Sequence, residues 1–170
     1  MAISKARLKQ IYPLSSYKFR VEIYPYLGHI IGLHQPALFA STWSFSDVSG
    51  LDMNYEHSVY RDGLSFAAGN EILRGVKQPP RITLSRGIVR DRAQLAEWMQ
   101  TEGFIFSRLL RKKNLRIIQL NEENDPEVFW NVVGAVPVKL VGPSFKSNSN
   151  EVSIEAIELM AEDITVNFNL

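Results

Sequence analysis

The chain has 170 residues, 45% of them hydrophobic, enough for one globular domain with a buried core. Lysine and arginine total 19 against 18 for aspartate and glutamate, so the net charge of +1 excludes a global attraction to nucleic acid or an anionic membrane, and any such role must come from a local patch. Cysteine is absent, which excludes disulfides, thiolate zinc sites and cysteine nucleophiles.

A basic arm, residues 1–15, opens the chain. No apolar stretch of signal-peptide length follows it and no run reaches transmembrane length, so the expected site of synthesis is a cytoplasm. Residues 17–23 alternate strictly, with Tyr17, Phe19, Val21 and Ile23 on one face and Lys18, Arg20 and Glu22 on the other. That is the pattern of a half-buried strand. From 25 to 45 the pattern dissolves around Gly28, Gly32 and Pro36, with apolar residues too frequent for a solvated linker. The segment reads as an ordered insertion covered by its own fold or by a partner.

Alternation resumes over 48–60, with Leu51, Met53, Tyr55, His57 and Val59 in phase, and predicts one long strand that ends at the turn Arg61-Asp62-Gly63. A less regular segment runs to Gly75. Pro79-Pro80 then introduces a strand over 81–89, with Ile82, Leu84 and Ile88 in phase. One helix has both ends written in the sequence: Asp91 as N-cap, Gln94 placed to complete a capping box, an apolar stripe of Leu95, Trp98 and Met99, and Gly103 at the stop. It is placed at about 92–102, on the outside of a sheet.

Residues 115–120 form a short strand apolar on both parities, hence buried on both sides. An acidic turn over 121–127 leads into a large hairpin. Its first strand, 132–141, is rich in β-branched residues; its second spans 152–159, across a polar turn at 144–150. Pro137 cannot donate to a ladder, so the first strand is an edge or bulged there. Val152 and Ile154 differ in parity from Ile157 and Leu159, and a bulge near Glu155 or Ala156 would bring all four to one side. Long open edges of this kind invite another chain.

Catalytic patterns are missing. His29, His34 and His57 have no carboxylate or second histidine at zinc-helix spacing, and His57 reads as a hydrogen-bonded core or interface residue. No phosphate-binding glycine loop or Gly-x-Ser-x-Gly elbow occurs, and Ser49 precedes a strand, not a helix. The basic cluster Arg108, Arg111, Lys112, Lys113 and Arg116 has no interleaved aromatics and reads as a solvated or interface patch before a nucleic-acid site. No catalytic residue, cofactor or metal is expected. An enzyme is the least supported class.

Several segments resemble the tail-tube, or inner-tube, proteins of contractile injection systems and long-tailed phages. They are Tyr17-Lys18-Phe19-Arg20-Val21-Glu22-Ile23, Phe45-Ser46-Asp47-Val48-Ser49-Gly50-Leu51, Tyr60-Arg61-Asp62-Gly63, Ile82-Thr83-Leu84-Ser85-Arg86-Gly87 and the Trp98 helix. Near the C-terminus the match continues through Trp130-Asn131, Pro137-Val138-Lys139, Gly142-Pro143 and residues 149–155. The resemblance implies a mainly β fold, two packed antiparallel sheets forming a barrel or sandwich with one flanking helix. Six subunits would close into a ring whose inner strands form one larger barrel, and rings would stack into a hollow conduit.

The partners it implies are the chain itself, a sheath protein, baseplate or spike, tape-measure or terminator proteins, and cargo, DNA or protein, in the lumen; no membrane insertion of its own is implied. Assembly into a phage tail or injection particle would follow synthesis in a bacterial or archaeal cytoplasm. The matching motifs nominate Ser49, Gly50, Leu51, Tyr60, Arg61, Asp62, Lys139, Asn148, Asn150 and Glu151 as subunit-interface candidates. Replacing Gly50 with a bulky residue is expected to block assembly and spare the protomer. The arm 1–15 and the insertion 25–45 are longer than in the simplest tube proteins, which leaves a tube-initiator ring at the baseplate as an alternative. A monomeric β-barrel binding a small ligand or single-stranded nucleic acid is the alternative from another class.

Overall fold

The computed structural model describes residues 13–26, 40–61, 63, 69–89, 93–100, 111–148 and 150–168. The fold is mainly β. Ten strands run in order: β1 (Phe19–Pro25), β2 (Ser41–Trp43), β3 (Asp47–Ser49), β4 (Tyr55–Tyr60), β5 (Glu71–Lys77), β6 (Arg81–Gly87), β7 (Lys113–Leu120), β8 (Pro126–Val141), β9 (Ile154–Met160) and β10 (Asp163–Phe168). The helix α1 (Gln94–Gln100) lies between β6 and β7.

β8 organises the whole. It is 16 residues long and belongs to two sheets. Its first part, up to Ala135, pairs with β7 on one edge and β10 on the other, giving the order β2-β1-β7-β8-β10. Its last part pairs with β9 and continues through β6 to β3. The bend falls at Gly134, whose φ of 64° is in the left-handed region. A Cβ there would stand 2.5 Å from the Glu162 carboxyl, so glycine lets the strand turn against the partner segment. Because Val133 faces Asp163 and Val136 faces Met160, β9 and β10 read as one long arm on the same edge of β8, interrupted opposite the bend.

All the strand pairs are antiparallel, and the two sheets pack face to face. Val21, Ile23, Leu115, Ile117, Val132 and Ile164 of the first meet Ile82, Leu84, Ile157 and Leu159 of the second, and Trp43, Leu95 and Trp98 close the flank. The alternation over 17–23 thus marks a real strand, with Val21 and Ile23 in the core. Tyr17 precedes the strand and is exposed. In β7, Leu115, Ile117 and Ile118 are buried on both parities, as the sequence predicts.

Several expectations are corrected. The predicted strand over 48–60 is two: β3 pairs with β6 in the second sheet, whereas β4 pairs with β5 in a separate hairpin. His57 is exposed on that hairpin, not in the core. The segment up to Gly75 read as irregular contains strand β5. Within 25–45, Ser41–Trp43 forms β2 on the edge of β1, while 27–39, with His29 and His34, lies outside the described residues, as does most of the arm 1–15.

The parity change in β9 needs no bulge: its register with β6 is regular, Ile157 and Leu159 enter the core, and Val152 and Ile154 face out. The irregularity sits on β8 between Pro137 and Lys139, where the missing N–H of proline favours it. Helix α1 is described over a shorter span than predicted; Asp91 and Gly103 lie outside the described residues. Instead of an observed capping-box bond, Gln94 Oε1 accepts from Arg86 at 3.4 Å.

Candidate assembly interface

The second sheet, β8-β9-β6-β3, has two unlike faces. Ile82, Leu84, Ile157 and Leu159 point to the core. The opposite face carries two cross-strand rows, Ser49–Thr83–Glu158–Lys139 and Asp47–Ser85–Ala156–Val141. Apart from the half-exposed Val141, these side chains are short, hydroxylated or charged, and Lys139 Nζ donates to Glu158 Oε1 at 2.9 Å. Such a face suits water.

The lateral edges of this sheet are open among the described residues. β3 pairs only with β6, and the β7 ladder along the other edge of β8 stops at Ala135, so residues 136–141 have no strand beside them there. Unmatched N–H and C=O groups on both sides are a template for another chain.

The hairpin β4–β5 leaves the same sheet at the Arg81 end. Its root is the bond from Gln78 N–H to the Asn54 carbonyl, 2.8 Å, and Lys77 pairs with Asp163. Almost every residue along it is exposed, including Val59, Tyr60, Ile72, Leu73 and Val76. The sequence reading missed the apolar half of this element. Glycine within Glu71–Lys77 masked a strand that a run of Ile, Leu and Val could have suggested.

Ser49 and Gly50 lie at the exposed end of β3, and Leu51 turns in to pack on the core. Tyr60 and Arg61 are exposed at the outer end of the hairpin; Asp62 lies outside the described residues. Lys139 stands near the opposite lateral edge. Asn148, Asn150 and Glu151 are exposed in the turn between β8 and β9, at the far end of the sheet from the hairpin. The candidates therefore do not converge within one protomer. They occupy opposite edges and ends, the arrangement that a head-to-tail assembly requires.

The basic run is dispersed. Lys112 pairs with Glu162 and lies 5.1 Å from the Tyr26 ring centroid. Lys113 sits between the Trp43 and Trp98 rings, 4.9 and 4.8 Å from their centroids, and burial holds its pKa below the usual lysine value. Arg116 donates to Asn131 Oδ1 at 3.0 Å and lies near the rings of Tyr24 and Phe129. The Arg111 carbonyl accepts from Trp98 Nε1 at 2.7 Å, and Arg108 lies outside the described residues. Lys112, Lys113 and Arg116 are thus each engaged by partners within the fold. Among the described residues no cluster of His, Asp and Glu could hold a metal ion, and no helix is long and apolar enough to cross a membrane.

On the outer face of the first sheet, burial and the bond from its hydroxyl to Glu22 push Tyr24 up to about 12. An unfolded tyrosine titrates near 10, so the folded chain keeps a proton that the unfolded chain releases between those values. Stability present below about pH 10 is lost as pH rises through about 12. Denaturant unfolding of Tyr24→Phe at about pH 9 and pH 11.5 is expected to show about 2 kcal/mol less of this loss than the parent chain. Equal losses in both chains would place the retained proton elsewhere.

The sequence profile of the T4-like virus tail tube protein gp19 family matches residues 15–165. This chain belongs to that tail tube family. It is similar to a chain in the cryo-EM structure of the sheath-tube complex of an extracellular contractile injection system, PVC, in the extended state. The identity is 26%, with 99% of this chain and 100% of that one covered and a TM-score of 0.78. A chain in the anti-feeding prophage tube-terminating cap is 29% identical over 99% of this chain and 95% of that one, with a TM-score of 0.76. A chain in the anti-feeding prophage baseplate, 6-fold symmetrised, is 23% identical over 92% and 97%, with a TM-score of 0.70, and shares the fold. No curated protein sequence matches the chain. The two-sheet fold and the tube role implied by the tail-tube resemblance are thereby borne out for this structural tube subunit.

Proposed function

We propose that this tail tube protein forms the main inner tube of a contractile injection particle, through hexameric rings joined edge to edge along the second sheet. The observation that carries this is a four-stranded sheet open at both lateral edges, with a water-compatible outer face. Joining β3 of one copy to the 136–141 edge of the next satisfies both edges at once and closes after six copies. About two dozen strands spaced about 4.8 Å apart and tilted about 40° give a barrel about 45–50 Å across between backbones. That is wide enough for a hollow conduit.

The rows around Thr83 and Ser85 then line the lumen. Their charges balance, Asp47 and Glu158 against Arg81 and Lys139, so the wall holds no strong preference for the charge of its cargo, DNA or protein. Sheath, baseplate and terminator proteins are the expected outer and end partners, and cytoplasmic synthesis precedes assembly. The role is geometric, not catalytic. Residues 1–170 act as one domain.

Electron microscopy over a range of concentrations, with particle mass measured alongside, tests the proposal. The expected products are six-fold rings of about six times the 19.3 kDa chain mass, and hollow tubes. Rings that never stack without a baseplate would favour the initiator reading; a strict monomer at every concentration would sink the ring. As a directed test, Ser49→Lys with Val141→Asp places like charges across the seam in both rows, against Lys139 and Asp47 of the neighbouring copies. At about 0.5 kcal/mol per seam the penalty sums to about 3 kcal/mol per ring. The double variant is expected to keep the parent melting curve and lose rings.

A further inference from the structure

The first sheet also ends in a strand with a free side. Among the described residues β10 pairs with β8 alone, and Thr165, Asn167 and Phe168 are exposed. The ring proposed above joins copies through the second sheet and gives this edge no partner, so an unguarded β10 would compete with the seam for other copies. The start of β10 is guarded. Ile164 N–H donates to Asp163 Oδ1 at 2.9 Å, and the Ile164 carbonyl accepts from Lys77 Nζ, so both backbone groups go to side chains and neither to β8. They face the free side. Antiparallel alternation turns the backbone groups of Val166 and Phe168 the same way, whereas those of Thr165 and Asn167 face β8.

Lys77 stands apart from the rest of its strand. Every other residue of β5 is exposed, Ile72, Leu73 and Val76 included, but the lysine side chain is 22% exposed, turned back onto β10 to bind Asp163 and the Ile164 carbonyl. Three residues on, the Pro80 carbonyl accepts from Ala161 N–H at 3.0 Å. The chain between β5 and β6 thus runs along the outer side of the β9–β10 arm and covers it as far as Ile164. We propose that Lys77 and Asp163 cap the β10 edge and so determine which sheet joins copies. A β10–β10 pair about a two-fold axis at Val166 would set Ile164 of each copy against Phe168 of the other, and both groups of Ile164 are already engaged. Such a pair is closed, and its copies are lost to a ring. The consequence for assembly rests on the ring proposed above; the cap itself does not.

In a double variant, Lys77→Met with Asp163→Val, Ile164 regains an unmatched N–H and C=O. At concentrations below ring formation, the parent is expected at the 19.3 kDa chain mass and the variant at about twice that mass. At ring-forming concentrations the variant should give at least tenfold fewer rings. Adding Val166→Pro removes the central outward N–H without taking a bond from the β8 ladder, and is expected to return both readouts to the parent values. A double variant that stays single and forms rings at the parent yield would overturn the inference. So would a doubled mass that Val166→Pro leaves in place, since the pairing would then use another surface. Melting curves check that each variant folds; if the double variant loses its cooperative transition, Lys77→Met by itself frees the carbonyl and carries the same comparison. Failure of the unmodified chain to form rings would instead fail the proposed function, with the mass comparison still deciding the cap.

Discussion

Gly50→Ala is expected to lower the unfolding free energy by about 4 kcal/mol, one of the largest effects available to a single methyl group here. Gly50 has a φ of 81°, and a Cβ built on it would stand 2.0 Å from the Arg81 carbonyl oxygen and 3.2 Å from the Ile82 Cα. Both are backbone atoms of β6, whose neighbours Ile82 and Leu84 are fully buried, so the obstacle cannot swing away. The chain must leave β3 at this point to start the hairpin, and only glycine takes the turn and the close approach together. Gly142, with open space around its Cβ position, supplies the control: Gly142→Ala is expected to change stability by less than about 0.5 kcal/mol. Guanidinium unfolding followed by tryptophan fluorescence compares the two. Similar midpoints would mean that the β3 exit relaxes freely. The sequence-based expectation that a Gly50 variant keeps its protomer is reversed by this contact, because assembly would fail through the fold first.

Breaking the Arg86–Glu155 pair should be nearly as damaging. Arg86 is 5% exposed, the one buried charged side chain among the described residues. Its Nε donates to Glu155 Oε1 at 2.7 Å across the β6–β9 ladder, and its guanidinium also reaches Gln94 at the start of α1. One side chain thus ties two strands and the helix. Arg86→Ala leaves the Glu155 carboxylate, itself mostly buried, without this partner, and a cost of about 3 kcal/mol is expected. Arg86→Met with Glu155→Gln removes the charge on both sides and should recover at least about 1.5 kcal/mol of that loss. A double variant as unstable as Arg86→Ala would show that the lost guanidinium hydrogen bonds to Glu155 and Gln94, and not a stranded carboxylate charge, account for the cost.

Strands with a single buried face were legible in the sequence. Residues 17–23 and Ile82 with Leu84 alternate because one side meets the core and the other meets water, and Leu115 to Leu120 lost alternation because both sides are covered. The asparagine-led acidic turn was legible too: Asn121 Oδ1 accepts from the Glu123 and Asp125 N–H groups, both at 2.9 Å, a local arrangement that needs no distant partner. Of the interface candidates, the positions at strand and hairpin ends could be named from turn residues, but not their division between opposite edges and ends.

By itself, then, the sequence determined the β class, the long β8–β9 hairpin and the α1 stripe, since each rests on periodicity or short-range turn chemistry, while membership of the tail tube family rested on the likeness of whole segments to that family. Tertiary structure decided the rest. Unbroken alternation over 48–60 could not reveal that the Arg81 carbonyl forces an exit at Gly50 and sends Tyr55 to Tyr60 into a different sheet. The parity change beyond Val152 fitted a bulge in β9 as well as a strand with two faces; only the covering of Ile157 and Leu159 and the exposure of Ile154 chose between them. The bend of β8 at Gly134, where one strand passes from the first sheet to the second, depends on the approach of Glu162 from 28 residues away. Periodicity reports how a strand faces its own surroundings, whereas contacts between distant backbones fix where that strand must stop, turn or change sheets.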